Sequence, residues 1–130
     1  MATLLYVDDE LTIGRAVARW FERRGHVVHL ATSVAEARTL LLEHRPDTVF
    51  IDVWLGSESG FELLGWIEER HPHLAERVIF VTGELADQSN GNGRRVWQTL
   101  GRPVLQKPFD FAQLEAHTQF AMDAERGSGT

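Results

Sequence analysis

Five short apolar runs constrain the fold of this chain more than any other feature of its sequence. They cover residues 3–7, 27–31, 48–52, 78–82 and 103–105. Each run is apolar at nearly every position rather than at alternate ones, which is typical of strands in a sheet that is covered on both faces. The runs therefore predict a sheet in the interior of the molecule.

Segments with helical spacing of apolar residues separate these runs. They predict helices over residues 11–24, 34–44, 61–70, 94–100 and 111–124. Ser33 followed by Glu36 predicts a capping box at the start of the second helix. Strands joined by helices imply parallel strands with right-handed crossovers. We therefore expect a three-layer, doubly wound α/β domain with a five-stranded parallel sheet.

The remaining segments have the composition of loops. A loop with Gly and Ser is expected over residues 53–60, and a second loop, rich in Asn and Gly, over residues 86–93. The chain of 130 residues has no internal repeat and the size of one domain. We expect that domain to span residues 1–124, with a flexible tail or linker over residues 125–130.

Composition excludes several classes of function. The net charge of −6 disfavours direct binding of nucleic acid, whose phosphates an acidic surface repels. The chain has no cysteine, so a disulfide framework and a thiolate metal site are excluded. It has neither an apolar run long enough for a membrane span nor the pattern of a signal peptide, and a cytoplasmic location is expected.

Polar residues follow the strands that are expected to line one edge of the sheet. Asp8 and Asp9 follow the first run, Asp52 ends the third, Thr82 ends the fourth, and Lys107 follows the fifth. Ligands of open α/β sheets bind beyond the carboxyl ends of the strands. Lys107 is also the only lysine among 13 basic side chains, the others being arginine. The sequence thus predicts a site where several carboxylates meet one ammonium group.

Crowded carboxylates repel one another unless a cation is present. Oxygen ligands suit Mg²⁺, which binds one or two carboxylates together with water and phosphate oxygens. A carboxylate nucleophile, a metal ion and fixed positive charge are the groups that phosphoryl transfer requires. The predicted chemistry is therefore transfer of a phosphoryl group.

These residues lie in five motifs whose order resembles that of the response regulator receiver domain, the phosphoacceptor domain of two-component signalling. The motifs are Tyr6-Val7-Asp8-Asp9-Glu10, Val49-Phe50-Ile51-Asp52-Val53, Gly60-Phe61-Glu62-Leu63-Leu64, Val81-Thr82-Gly83 and Lys107-Pro108-Phe109. The resemblance runs from about Leu4 to Met122. It implies a flavodoxin-like fold with the strand order 2-1-3-4-5.

The resemblance also implies a role for each site residue. Asp52 is similar to the phosphoacceptor, which takes the phosphoryl group of a phosphohistidine. Asp9 resembles the direct ligand of Mg²⁺ or Mn²⁺, Asp8 a ligand that acts through water, and the Trp54 backbone carbonyl a third protein ligand. Thr82 resembles the switch hydroxyl. Lys107 resembles the cation that pairs with Asp52 and later with the phosphoryl group, and its bond to the next proline is often cis in the family.

Family membership further implies partners. A histidine kinase or a histidine phosphotransfer protein would supply the phosphoryl group, and the readout would be contact with another protein. Residues 101–110 resemble receivers of hybrid sensor histidine kinases more than those of transcription regulators. The sequence leaves open the downstream target and whether two copies pair as a homodimer.

Two other functions remain open at this stage. Val104 stands where many receivers have an aromatic residue that moves with the switch hydroxyl, which keeps a pseudo-receiver that is never phosphorylated under consideration. A small aspartyl-phosphate phosphatase of the haloacid dehalogenase kind would use similar groups. Such an enzyme has an Asp-x-Asp-x-Thr motif after its first strand, and Asp8-Asp9-Glu10-Leu11-Thr12 does not match it.

Overall fold

The computed structural model describes residues 2–83 and 104–118. The central sheet has five parallel strands: β1 (Thr3–Val7), β2 (Val27–Ala31), β3 (Thr48–Asp52), β6 (Val78–Thr82) and β7 (Val104–Gln106). Their spatial order is β2-β1-β3-β6-β7, and each neighbouring pair is parallel. This is the flavodoxin-like order 2-1-3-4-5, so the predicted fold class is confirmed.

Helices cover both faces of this sheet. They are α1 (Leu11–Glu22), α2 (Val34–Glu43), α3 (Gly60–Arg70), the short α4 (Pro72–Ala75), and α5, which is helical over residues 111–118. Alternate residues of β1 face opposite layers: Leu5 and Val7 pack with α2 and α3, whereas Leu4 and Tyr6 pack with α1 and α5. All five residues of β3 and of β6 are buried. Continuous apolar character in these strands thus reflects cover on both sides.

Local sequence explains where two of the helices begin and end. Gly25 has a φ of +87°, a conformation that glycine adopts readily, and it turns the chain after α1. Helix α1 therefore ends at Glu22, two residues before the predicted end. The Ser33 hydroxyl accepts a hydrogen bond from the Glu36 N–H (3.1 Å), which confirms the predicted N-terminal cap of α2. The carboxylate of Glu36 reaches back to the N–H of Thr32 (2.7 Å) rather than to that of Ser33.

The segment after β3 differs from the predicted loop over residues 53–60. It contains a two-stranded antiparallel ribbon, formed by β4 (Trp54–Leu55) and β5 (Glu58–Ser59). Gly56, with a φ of +64°, lies in the turn between them. Helix α4 was not predicted either, since proline at its first position indicated only the end of α3. Both elements are too short to leave a periodic signal in the sequence.

Other expectations are shifted or lie outside the described residues. Strand β7 covers Val104–Gln106 and so extends one residue past the predicted end, while position 103, the predicted start, lies outside the described residues. The Asn- and Gly-rich segment over residues 86–93, the predicted helix 94–100 and the predicted tail 125–130 all lie outside the described residues. Among the residues that are described, no helix has the length and apolar character required to span a membrane.

Candidate functional site

The carboxyl ends of β1, β3, β6 and β7 bring the predicted site residues to one edge of the sheet. Asp8 follows β1 and is 2% exposed, while Asp52 ends β3 and is 5% exposed. Backbone hydrogen bonds continue the sheet past the strand ends, from the Asp8 N–H to the Ala31 carbonyl (3.0 Å) and from the Lys107 N–H to the Thr82 carbonyl (2.8 Å). The site is therefore built on backbone that is hydrogen-bonded into the central sheet.

The ammonium group of Lys107 joins three carboxylates. Its Nζ lies 2.7 Å from Asp8 Oδ2, 2.8 Å from Asp52 Oδ2 and 3.2 Å from Glu10 Oε1. An ammonium group has three donors, so each carboxylate can receive one of them. The side chain of Lys107 is only 10% exposed. Its peptide bond to Pro108 is cis, in agreement with the expectation from the family.

Asp52 is held from two sides. Its Oδ2 faces Lys107, and its Oδ1 accepts a hydrogen bond from the backbone N–H of Trp54 (3.1 Å). Burial raises the pKa of Asp52 from 3.8 to about 6, and the charge of Asp8 adds to this effect. Hydrogen bonding and charge attraction from Lys107, together with the Trp54 N–H, limit the rise. The carboxylate is thus ionised at neutral pH, although burial disfavours its charge.

The same contacts act on Lys107 in the opposite sense. Burial by itself lowers the pKa of an ammonium group, but the hydrogen bonds from Lys107 to Asp52 and Asp8 outweigh burial and leave its pKa raised. Lys107 therefore stays protonated over the whole physiological range.

The sequence predicts Asp9 as a metal ligand and assigns no role to Glu10. The carboxylate oxygens of Asp8, Glu10 and Asp52 lie within 4.8 Å of one another, and Asp9 is not part of this cluster. Asp9 is exposed and lines an open cavity of about 250 Å³ above Asp52, together with Trp54 and Gly56. Asp9 thus lies beside the acidic cluster rather than within it.

Thr82 ends β6, as the sequence predicts, whereas Trp54 lies in β4, a strand that the sequence does not predict. Thr82 is fully buried at the end of β6, and the residue after it, Gly83, lines the cavity above Asp52. Trp54 also lines that cavity, and its side chain is half exposed. Val104, at the position that is aromatic in many receivers, starts β7 and packs partly buried against the core.

Two residues of the site, Glu10 and Tyr6, were not predicted as site residues from the sequence. Glu10 occupies the N-cap position of α1 but makes no side-chain cap, and its carboxylate turns to Lys107 instead. Tyr6, which is fully buried, donates its hydroxyl to Asp8 Oδ2 (3.0 Å). Residues two apart in a strand share a face, so the spacing of Tyr6 and Asp8 was a signal that could have revealed this contact.

Fold and site together define a doubly wound α/β domain with an acidic cluster and one buried lysine at the carboxyl edge of its sheet. A family model described as the response regulator receiver domain matches residues 4–119. The chain belongs to this family, whose members are generally signalling domains. The family resemblance that the motifs carry is therefore confirmed.

Individual relatives agree with this assignment. The nitrogen assimilation regulatory protein NtrX of Azorhizobium caulinodans is 30% identical over 128 residues, which are 95% of this chain and 26% of NtrX. The chain thus spans about a quarter of the length of that relative. The receiver domain of NtrX from Brucella abortus matches with a TM-score of 0.77 at 28% identity, covering 92% of this chain and 98% of that domain.

A CheY-like receiver domain protein from Methanospirillum hungatei JF-1 has the same fold, with a TM-score of 0.82 at 20% identity and 98% coverage of both chains. These three relatives are one regulatory protein and two receiver domains, and none of the three is a sensor kinase. The resemblance of residues 101–110 to receivers of hybrid kinases therefore stays a prediction.

Proposed function

We propose that this chain is a phosphorelay receiver that accepts a phosphoryl group on Asp52 and thereby changes which proteins it binds. One observation carries the proposal: the Asp52 carboxylate lines an open cavity while Lys107 and the Trp54 N–H hold its two oxygens. A nucleophile fixed in this way is oriented before the phosphoryl donor arrives.

The chemistry follows from the charge state of Asp52. With a pKa of about 6, the side chain is a carboxylate at neutral pH and can attack phosphorus. In the proposed reaction one carboxylate oxygen forms a bond to the phosphorus of a phosphohistidine. The P–N bond breaks, and its electron pair leaves with the imidazole. The product is an acyl phosphate, whose oxygens the ammonium of Lys107 would then contact.

The proposed metal site consists of Asp8, Asp9, Asp52 and the Trp54 carbonyl, and it would hold Mg²⁺ or Mn²⁺. Hard cations prefer carboxylate and carbonyl oxygens. Asp8 and Asp52 belong to one carboxylate cluster, and Asp9 and Trp54 line the cavity above Asp52, which supports this proposal. When bound, the cation would offset the negative charge of the phosphoryl oxygens. Glu10, which belongs to the same cluster, would hold Lys107 at rest.

The partners follow from the proposed reaction. The phosphoryl donor would be a histidine kinase or a histidine phosphotransfer protein, which implies a cytoplasmic setting. A second cavity, of about 260 Å³ and lined by Ile13, Ala16, Phe109 and Phe111, adjoins Lys107. This apolar surface beside the site supports contact with a protein that presents its phosphohistidine there. The proposal also includes pairing of two copies as a homodimer. The downstream target would be a protein, whose identity the proposal does not specify.

Intact-mass measurement tests the function directly. The protein is incubated with Mg²⁺ and phosphoramidate, and we expect a gain of one phosphate that is lost when Mg²⁺ is removed with EDTA. Asp52→Asn should abolish the adduct. Asp110→Asn is the matched control, since Asp110 is an exposed carboxylate that caps α5 and lies outside the site. That variant should be phosphorylated as well as the wild type.

Two results would contradict the proposal. If neither phosphoramidate nor beryllofluoride modifies or binds the wild-type protein, the chain is a pseudo-receiver, as the valine at position 104 allows. Repeated turnover of a generic phosphatase substrate by the wild type, but not by Asp52→Asn, would instead indicate an aspartyl-phosphate phosphatase.

A further inference from the structure

A basic cavity lies at the end of the sheet opposite to Asp52. It has a volume of about 420 Å³ and is enclosed by the ends of α2 and α3, the segment that follows α2, and α4. The charged and titratable side chains that line this basic cavity are those of His44, Arg45, Arg70, His71, His73 and Arg77. Among the described residues no carboxylate lines it, although acidic residues outnumber basic ones in the chain as a whole.

Helix ends explain part of this positive charge. The C-termini of α2 and α3, at Glu43 and Arg70, face the basic cavity, and each helix C-terminus carries about half a negative charge. Basic side chains at such ends are favourable without any ligand. The guanidinium groups of Arg45 and Arg70 alone nevertheless exceed the roughly one negative charge of the two helix ends by about one. His44 adds nothing to this excess, since Glu43 lies 3.9 Å from it.

Two of the arginines are available to a ligand. Arg45 and Arg70 are exposed, and neither has a carboxylate partner among the described residues. The guanidinium of Arg70 lies over the ring of Trp66, 5.3 Å from its centroid, which restricts where the side chain can go. Arg77 makes further contacts within the chain. Planar guanidinium groups donate paired hydrogen bonds to phosphate oxygens, so Arg45 and Arg70 supply the kind of donor that a phosphate binds.

His71 also lines the basic cavity, but its Nε2 is shielded from solvent and is therefore not counted among the groups that a ligand can reach. Leu41, Pro46 and Leu74 provide an apolar wall beside these polar groups. The volume lies within the range of small-molecule sites.

We propose that the basic cavity binds a small organic phosphate monoester, with its dianionic phosphate on Arg45 and Arg70 and its apolar body against Leu41, Pro46 and Leu74. The phosphate oxygens can accept hydrogen bonds from both guanidinium groups, and the phosphate charge offsets their positive charge. Since the cavity is remote from Asp52, ligand binding there does not depend on the proposed phosphorylation.

Calorimetric titration of the full chain tests this site. Phenyl phosphate, inorganic phosphate and benzoate serve as probes, with EDTA present so that no divalent cation occupies the acidic site. We expect saturable binding of phenyl phosphate at concentrations up to about 10 mM, weaker binding of benzoate, and shifts of the ring-proton NMR signals of His44 and His71. Inorganic phosphate that binds as tightly as phenyl phosphate would assign the phosphate group itself as the ligand and would overturn the role of the apolar wall.

Paired variants separate the site from general charge effects. The double variant Arg45→Gln/Arg70→Gln should weaken binding at least about tenfold. Arg15→Gln/Arg19→Gln removes the same charge from exposed positions of α1 and should leave binding unchanged. An equal loss of phenyl phosphate binding in both double variants, or the absence of saturable binding by the wild type, would overturn the proposal. The arginines would then only offset the negative charge of the helix C-termini. Tighter binding of a glutamate-rich peptide than of phenyl phosphate would also overturn the proposal.

Discussion

At the scale of single residues, the acidic site depends on two contacts that the strand-end pattern does not contain. Asp8 has one oxygen bound by both Tyr6 and Lys107, and its other oxygen accepts the Glu10 N–H (2.9 Å). A buried carboxylate needs such partners, because burying an unpaired charge is costly. Tyr6 therefore helps to fix the carboxylate of Asp8 in position.

We expect Tyr6→Phe to lower the free energy of unfolding by about 1.5–3 kcal/mol, the usual contribution of a hydrogen bond to a charged group. Urea denaturation at pH 7 measures the change. The same substitution in an Asp8→Asn background should cost less, because the charged acceptor is gone. Equal costs in both backgrounds would assign the effect to packing of the ring instead.

At the scale of elements, the start of α3 determines how closely that helix approaches the end of β3. The N–H of Gly60 donates to the Val53 carbonyl (2.7 Å). A Cβ at position 60 would overlap the Asp52 carbonyl oxygen and would lie 2.8 Å from Ile51 Cγ2. Only glycine allows this approach, so the receiver motif that begins at Gly60 also positions the backbone of Asp52.

We expect Gly60→Ala to destabilise the protein by about 1–3 kcal/mol, because the helix must move away from β3. Gly65→Ala, in the same helix, is the matched control, since a Cβ there meets nothing within 4 Å. That change should stabilise the protein by about 0.5–1 kcal/mol through helix propensity. Thermal or urea denaturation compares the two, and a loss of similar size at both positions would contradict the close approach at Gly60.

At the scale of the whole molecule, the buried charge of Asp52 in the acidic site lowers the free energy of unfolding. Burial raises the pKa of Asp52 from 3.8 to about 6, so between these values the folded protein binds a proton that the unfolded chain has released. The free energy of unfolding therefore falls as the pH rises through this window and stays lowered above it. Functional sites often carry such a cost.

Asp52→Asn removes this titration. In metal-free buffer we expect the difference in the free energy of unfolding, variant minus wild type, to increase by on the order of 1–3 kcal/mol from pH 4 to pH 7.5. Urea denaturation at the two pH values measures the gain, and any constant effect of the amide cancels in the difference. Asp110→Asn should show no such growth. A stability difference between Asp52→Asn and the wild type that is the same at both pH values would disprove the proposed burial cost.

Much of the fold and the outline of the site could be predicted from the sequence. Continuous apolar strands require cover on both faces, and helical segments between them require parallel crossovers, so the strand ends with Asp8, Asp52, Thr82 and Lys107 had to share one edge. Regular elements leave a periodic signal over many residues. The two-residue strands β4 and β5 and the four-residue helix α4 do not, which is why they were missed.

Only the tertiary structure decided which side chains meet. Lys107 reaches Glu10 across 97 positions of the chain, and the choice of Glu10 rather than Asp9 depends on the direction in which the backbone enters α1. Likewise, Arg45, Arg70 and Arg77 are separate charges in the sequence and form one cavity only where α2, α3 and α4 end side by side. Periodicity determines the faces of helices and strands, whereas contacts between distant segments depend on how those elements pack.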